Sequence, residues 1–473
     1  MKVTNGLLFF ALFFITVVSA VSYSGCANIL PPSGGPRDTI PPVLVYANPK
    51  DSALHFAGNK IVLIYNEYLN PTDIRAELLV NPVPKVDPII DAKLRQVTLR
   101  LKDTLQPNTT YSFRFGKGIK DNNEGNVLRN FTYVLSTGSH IDGGELSGTV
   151  VVANTGKPDS TIVAMLHLRF NDSAVIKDRP RYIARLDSSG HFHFRFIQPG
   201  SYALYAMKDD GGAHKYLSKS QLFAFADSAV TIERNTPPVT MYAYSEVPIT
   251  PASKPVTPAK PTKANDKDKR LQFQTSIANG VFDVLDTFRF VFPNPLKVFD
   301  STRIRFTDEN FQDIDPKTYR FARDSTNKKF TLFFVWPTDT KYHLIAARDF
   351  AQDSAGRRLL KPDTISFRTK KDIEYGEVRI RILNLDLSKR PVLQFVSGDV
   401  IKHAYPFLNS RQIRKVLFAP GDYELRVLYD TNGNGVWDPG LFFGKHRQPE
   451  IVIPIRKKYT VKANWDNDFD ITL

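Results

Sequence analysis

Apolar residues recur at every second position along most of this chain, and no segment sustains a 3.6-residue apolar period. Tyr111/Phe113/Phe115, Phe192/Phe194/Phe196, Phe288/Phe290/Phe292 and Val378/Ile380/Ile382 stand between mostly polar neighbours, and Ile61/Leu63/Tyr65 keep the same spacing. A period of two puts alternate side chains on opposite faces, as in half-buried antiparallel strands. The chain therefore reads as all-β. Strand-length runs return about every 8–12 residues between Asn, Asp, Gly and Pro clusters, the spacing of small sandwiches. The 473 residues, 42% of them apolar, suffice for three or four cores. A single cysteine rules out an intrachain disulfide, so stability rests on core burial.

Self-comparison finds two unrelated units, each present twice. Asn59–Pro71 (NKIVLIYNEYLNP) matches Asp286–Leu296 (DTFRFVFPNPL), and Thr110–Asn126 matches Thr340–Arg357; each copy carries an Asp-Gly loop, Asp121/Gly125 and Asp353/Gly356. These repeats resemble the bacterial Ig-like domain of S-layer and Bacteroidota envelope proteins. The second unit pairs Ile197–Gly212 (IQPGSYALYAMKDDGG) with Phe418–Gly433 (FAPGDYELRVLYDTNG), superposing Pro199-Gly200-x-Tyr202 on Pro420-Gly421-x-Tyr423. A Pro-Gly turn feeding a strand that starts with Tyr resembles transthyretin-like and carboxypeptidase-regulatory-like sandwiches. The resemblance implies four tandem β-sandwich domains in an A-B-A-B arrangement: Ig-like 43–138, transthyretin-like 144–235, Ig-like 271–370 and transthyretin-like 375–473. Between the halves, 249–270 alternates Pro with Lys and reads as an extended linker.

The N-terminus reads as an export signal. Lys2 precedes an apolar run, Leu7–Val21, too short for a spanning helix, and small residues Ser22, Ser24 and Gly25 lead to Cys26. Tyr23-Ser24-Gly25-Cys26 resembles a bacterial lipobox, with Tyr23 where Leu is usual. The resemblance implies a signal peptide, 1–25, removed by a dedicated peptidase, and a covalent lipid on Cys26. Residues 26–42, rich in Pro and Gly, then form a stiff tether. Anchor and spacer together resemble Bacteroidota outer-membrane lipoproteins, which implies a lipid anchor in the outer membrane, facing the periplasm or the cell surface.

With 63 Lys+Arg against 48 Asp+Glu the net charge is +15. The excess is concentrated in the linker and scattered along strands, without a recognition helix or an RNA-binding aromatic signature, so no nucleic-acid partner is expected. A basic surface of this kind either attracts anionic lipid or is simply solvated.

The sharpest motif is DTNGNGVWDPG, Asp430–Gly440. Oxygen donors at Asp430, Asn432, Asn434, the Val436 carbonyl and Asp438, with Gly435 for the turn, follow positions 1, 3, 5, 7, 9 and 6 of a calcium loop. Leu441 stands where an EF-hand needs Glu, so the alternatives are a calcium-holding hairpin loop or a metal-free Asn-Gly turn. The matching loop Asp209-Asp210-Gly211-Gly212 lacks the Asn ladder. His191 and His193, two apart on one strand, are able to grip zinc but have no second pair of ligands, and Phe192, Phe194 and Phe196 are expected on the core side. No nucleophile elbow, zinc-protease helix or phosphate loop is present, and the chain is read as no enzyme. Asp followed by Ser or Thr and a small or aliphatic residue or Thr recurs often. The triplet resembles the Bacteroidota O-glycosylation signal, implying acceptors such as Ser52, Thr104, Ser173 and Ser354; Asp-Ser and Asp-Thr also start turns.

The combined reading is a lipid-anchored, non-catalytic array of four domains forming a rod and docking an envelope protein partner. A glycan-binding protein is the alternative, with Trp437/Phe442/Phe443 as an exposed platform. A hydrolase with an unrecognised carboxylate pair is the third reading.

Overall fold

The computed structural model describes residues 10–18, 37–247 and 270–473. Cys26 and all but the last residue of the 249–270 linker lie outside the described residues. Residues 10–18 are helical and exposed, and among the described residues no helix is long and apolar enough to cross a membrane. Among the described residues from 37 onward, the regular elements are almost all strands. The chain divides into two compact units, residues 1–80 with 84–140, and 81–83 with 141–473.

In the first unit one sheet has the order Leu44–Asn48, Lys60–Tyr65, Gln96–Arg100, Ile89–Lys93, and the other Leu79–Asn81, Thr110–Arg114, Thr132–Ser136. The inward residues of both form the core: Ile61, Leu63, Val97, Leu99, Phe113 and Leu135 are all fully buried. The tether reaches this sandwich in an ordered way. Arg37 Nη2 donates to the Glu124 carbonyl at 3.0 Å, and Asn126 Nδ2 to the Asp38 carbonyl at 3.1 Å.

The second unit holds three sandwiches. Residues 274–369 repeat the strand order of the first unit with one short strand, Val281–Phe282, added to the second sheet. Gln274–Thr275, Phe288–Val291, Lys329–Phe333 and Arg320–Arg323 make one sheet; Val281–Phe282, Asp363–Thr369, Lys341–Ala346 and Ile304–Asp308 face it. The other two sandwiches share a different order. In each, a three-stranded sheet ends in a parallel pair, Gly144–Val152 with Val239–Ala243 and Gly376–Ile382 with Asp466–Ile471. Opposite lies an antiparallel sheet, Tyr182–Arg185, Ile162–His167, Gly200–Lys208, Phe223–Phe225 in one copy and Val400–Pro406, Pro391–Ser397, Gly421–Tyr429, Ile451–Val461 in the other. The earlier copy runs to Ala243, past the boundary expected at 235. The Pro-Gly-x-Tyr motif has a mechanical reason: Tyr202 and Tyr423 each donate the hydroxyl to a carbonyl four residues back, Gln198 at 2.8 Å and Ala419 at 3.0 Å. This pins the strand to the turn that feeds it.

Two expectations are corrected. Phe196 does not join Phe192 and Phe194 in the core. The register shifts between Phe194 and Ile197, Phe196 has φ 60°, and Ile197 takes the buried place. Nor, within the second unit, do sandwiches meet only their neighbours in the chain: the 144–243 and 376–471 sandwiches, not adjacent in sequence, pack directly on each other. Leu428 and Arg426 face away from their own core yet are 0% and 3% exposed. They lie on the sheet face reached by residues 153–158 of the other sandwich. There Val452 N donates to the Ala153 carbonyl at 2.9 Å, and Lys157 Nζ meets Glu424 at 2.9 Å. Gly156, φ +65°, allows this approach: a Cβ there would lie 2.2 Å from Pro454 Cδ.

Candidate functional site

The Asp430–Gly440 motif sits in the connection between strands Gly421–Tyr429 and Ile451–Val461, which pair antiparallel with Tyr429 opposite Ile451. That register sets Glu450 against the start of the loop. The loop closes through its own polar atoms. Asp430, 2% exposed, accepts Gly433 N–H and Gly435 N–H, both at 2.6 Å. Asn432 Oδ1 accepts Asn434 N–H at 2.9 Å, and Asn434 Oδ1 accepts Val436 N–H at 2.7 Å. Both amide groups turn their Nδ2 to Asp438 Oδ2, at 2.6 and 2.7 Å. Three of the five expected donors, Asn432, Asn434 and Asp438, are thus joined by direct hydrogen bonds, while Asp430 closes the same loop through main-chain N–H groups.

Glu450, 5% exposed, is the residue that the sequence motif does not contain. Its Oε1 accepts Thr431 N–H and Oγ–H at 2.7 Å, and its Oε2 accepts Asp438 N–H at 3.0 Å. Both oxygens hold the backbone, so Glu450 shapes the loop rather than replacing the missing twelfth ligand. Among the described residues no group of three or more His, Cys, Asp or Glu is gathered as a metal site. Two amide N–H₂ groups on Asp438 Oδ2 occupy the place a cation would take, and turning either amide oxygen there would set its Nδ2 against the Asn434 or Val436 N–H that the oxygen now accepts.

The rest of this connection docks on the 144–243 sandwich. Phe442, 3% exposed, lies with its ring centroid 5.7 Å from Tyr205, 5.1 Å from Phe223 and 5.0 Å from Phe225. Phe443 follows it against Tyr216 at 5.6 Å. Gly440 comes so close to Tyr244 that a Cβ would stand 2.5 Å from its ring. Polar bonds surround the aromatic contact: Asp172 takes His446 Nε2 at 2.6 Å and Gly444 N–H at 3.0 Å, and Gln448 Nε2 donates to Asp227 at 2.7 Å. The Gly444 N–H, with His446 beside it, holds the Asp172 carboxyl below the usual carboxylate range. The exposed aromatic platform expected for glycan is therefore absent: Phe442 is an interdomain plug, and Trp437 is half-buried with its Nε1 on the Glu450 carbonyl at 2.8 Å. Asp172 carried no sequence signal beyond its place in an Asp-Ser triplet.

His191 and His193 are exposed and pair with carboxylates, His193 Nε2 with Glu145 at 3.2 Å and His191 with Asp187 at 3.6 Å. The Asp209 loop is closed by Asp209 accepting Ala213 and His214 N–H, both at 3.0 Å. The Asp-Ser/Thr triplets have a local cause: Asp38, Asp159, Asp300 and Asp353 each accept the N–H two residues on, at 2.9 to 3.0 Å. Of the named acceptors, Ser52, Thr104 and Ser354 are exposed, and Ser173 is half-buried beside the docked Gly444–His446 segment.

The geometry of 38–137 is that of a small antiparallel sandwich closed by an Asp-capped loop. Those residues match the bacterial Ig-like domain family. No curated protein matches the chain. Among solved structures, the chain is similar to the Bacillus anthracis TIE protein (11% identity, 93% of this chain and 75% of that chain, TM-score 0.17). It is also similar to BcpA, the major pilin subunit of Bacillus cereus (10% identity, 70% and 98%, TM-score 0.17), and to the N-terminal part of the bacterial S-layer protein SbsC (13% identity, 44% and 44%, TM-score 0.16). Scores of this size add nothing to the fold, which rests on the chain's own strands.

Proposed function

We propose that this chain is a lipid-anchored, non-catalytic structural and interaction protein of the bacterial outer membrane, in which Ig-like and transthyretin-like sandwiches alternate and dock an envelope protein partner. The observation that carries the reading is how the polar and aromatic loop residues are used. Asp121, Asp172, Asp430, Glu450 and Phe442 are all committed to closing loops or joining domains. Such an array supplies rigid surface and sheet edges rather than a reaction centre. The lipobox-like Cys26 and the spacer ending on the first sandwich support an anchored position. The Cys26→Ala protein is expected in the soluble fraction, and the intact mass of the wild type is expected to carry lipid, with hexose on peptides holding Ser52, Thr104 or Ser354. A variant that still sediments with high-salt-washed membranes overturns the anchor, and an intact mass explained by lipid alone removes the glycan.

Calcium belongs to this reading as a structural cation held by Asp430, Asn432, Asn434, Asp438 and the Val436 carbonyl. Two carboxylates with neutral oxygens imply a Kd of about 10⁻⁴–10⁻³ M. Millimolar calcium is then expected to stabilise the 376–471 sandwich by about 0.4–1.4 kcal/mol. Calorimetry of the full chain with calcium and with chelator checks this; superimposable traces mean that the loop is a turn alone.

A further inference from the structure

Strand Arg320–Arg323 closes one side of the sheet Gln274–Thr275, Phe288–Val291, Lys329–Phe333, Arg320–Arg323 and pairs only with Lys329–Phe333. Asp324 N–H donates to the Lys329 carbonyl at 3.0 Å. Antiparallel bonding alternates, so Ala322 and Arg320 face the neighbouring strand, and the main-chain groups of Phe321 and Arg323 face outward. Among the described residues no other strand pairs with them.

This edge is flanked by two grooves. One, of about 640 Å³, is lined by Leu285, Phe334, Val335 and Trp336, with the exposed Lys317 and Arg320. Val335 is 88% exposed, so apolar surface stands open in water there. The other, of about 340 Å³, is lined by Phe299, Phe321 and Phe330, with the exposed Lys297 and Arg323. An added strand sends alternate side chains to opposite faces, and each end of Arg320–Arg323 borders one of these grooves.

The charge is one-sided. None of Lys297, Lys317, Arg320 and Arg323 has a carboxylate partner among the described residues. The nearby carboxylates are engaged elsewhere: Asp286 with Arg289, Asp300 with Thr302 and Arg303, and Asp324 with Thr326 and the Lys329 N–H. Cations on an edge repel a second copy of this chain, which carries +15, and attract an acidic strand.

We infer that the Arg320–Arg323 edge takes an extended, acidic segment with apolar side chains from a partner protein, adding it as a fifth strand. This rests on the interaction role proposed above and names its surface. The full-length protein is titrated with a labelled octapeptide, Glu-Val-Glu-Phe-Val-Glu-Val-Glu, and with its counterpart bearing lysine at each glutamate. The acidic peptide is expected to bind saturably, about tenfold or more tighter than the lysine peptide, and to slow amide exchange at Phe321 and Arg323. The double variant Arg320→Glu/Arg323→Glu, both surface positions, is expected to lose about tenfold in affinity with an unchanged melting temperature. Equal binding of the two peptides, no binding, or no protection at Phe321 and Arg323 overturns the inference. The wild type and the double variant are also used to capture partners from detergent-solubilised outer membrane. One envelope protein captured equally by both overturns the edge assignment and leaves the interaction role standing. Edge protection by the peptide with no envelope protein captured supports the edge and removes the interaction role.

Discussion

Replacing Phe442 by alanine is expected to cost about 3–5 kcal/mol, the loss typical of emptying a buried aromatic site. The ring is surrounded by Tyr205, Phe223 and Phe225 across the domain boundary, so the loss falls on the joint between sandwiches. Neither core loses a residue. Removing the plug leaves the approach of residues 153–158 to the Gly421–Tyr429 and Ile451–Val461 strands, together with the Asp172–His446 and Gln448–Asp227 contacts, which are surface-grade and worth about 1 kcal/mol or less each. Those do not replace it. Urea unfolding of the full chain is expected to show the 144–243 and 376–471 sandwiches separating into two transitions, with faster amide exchange over Phe223–Phe225. Phe443→Ala, at a half-buried ring, is the graded control and is expected to cost less than half as much. An unchanged urea midpoint with unchanged exchange at Phe223–Phe225 would show that the plug contributes nothing.

The strands were legible because their chemistry is local. The period-two residues Leu63, Phe113, Phe192, Phe290 and Ile380 are buried to within 2% exposure, as alternation across a sheet requires. The exception is Phe196, where a register shift hands the core place to Ile197, and nothing in FHFRFI marks that shift. The interdomain joint was illegible for a different reason. Phe442 stands in a loop without period, and its partners lie more than two hundred residues away, so its burial depends on packing between domains. Glu450 lies between these cases. Once Asp430–Gly440 is taken as the turn of a hairpin and Tyr429 is set opposite Ile451, Glu450 must face Asp430. The calcium-loop pattern ends at position 12, Leu441, and so does not reach Glu450.

Asp121→Ala is expected to destabilise the first unit by about 2–3 kcal/mol, because one carboxylate holds four main-chain donors. Its oxygens accept Asn123, Glu124, Gly125 and Asn126 N–H at 2.9, 2.6, 3.0 and 2.6 Å. Burial of the group, 2% exposed, works to raise its pKa, and the four hydrogen bonds outweigh that and hold the carboxyl below the usual range. The sign follows from the depressed folded-state pKa. The contribution is fully present above the unfolded value of about 3.9 and is lost as pH falls through the lower folded value. The gap between wild type and variant should therefore be constant near neutrality and close below about pH 4. At pH 7 the melting of this unit is expected to fall by about 10–20 °C in calorimetry of the full chain. The same loop holds the end of the tether, through Arg37 on the Glu124 carbonyl and Asn126 on the Asp38 carbonyl. Proteolysis around residues 37–42 should accelerate in the same variant, since the loop that pins them loses its carboxylate. A variant melting within about 1 °C of wild type at pH 7, with the tether still protected, would show that solvent replaces all four bonds without loss.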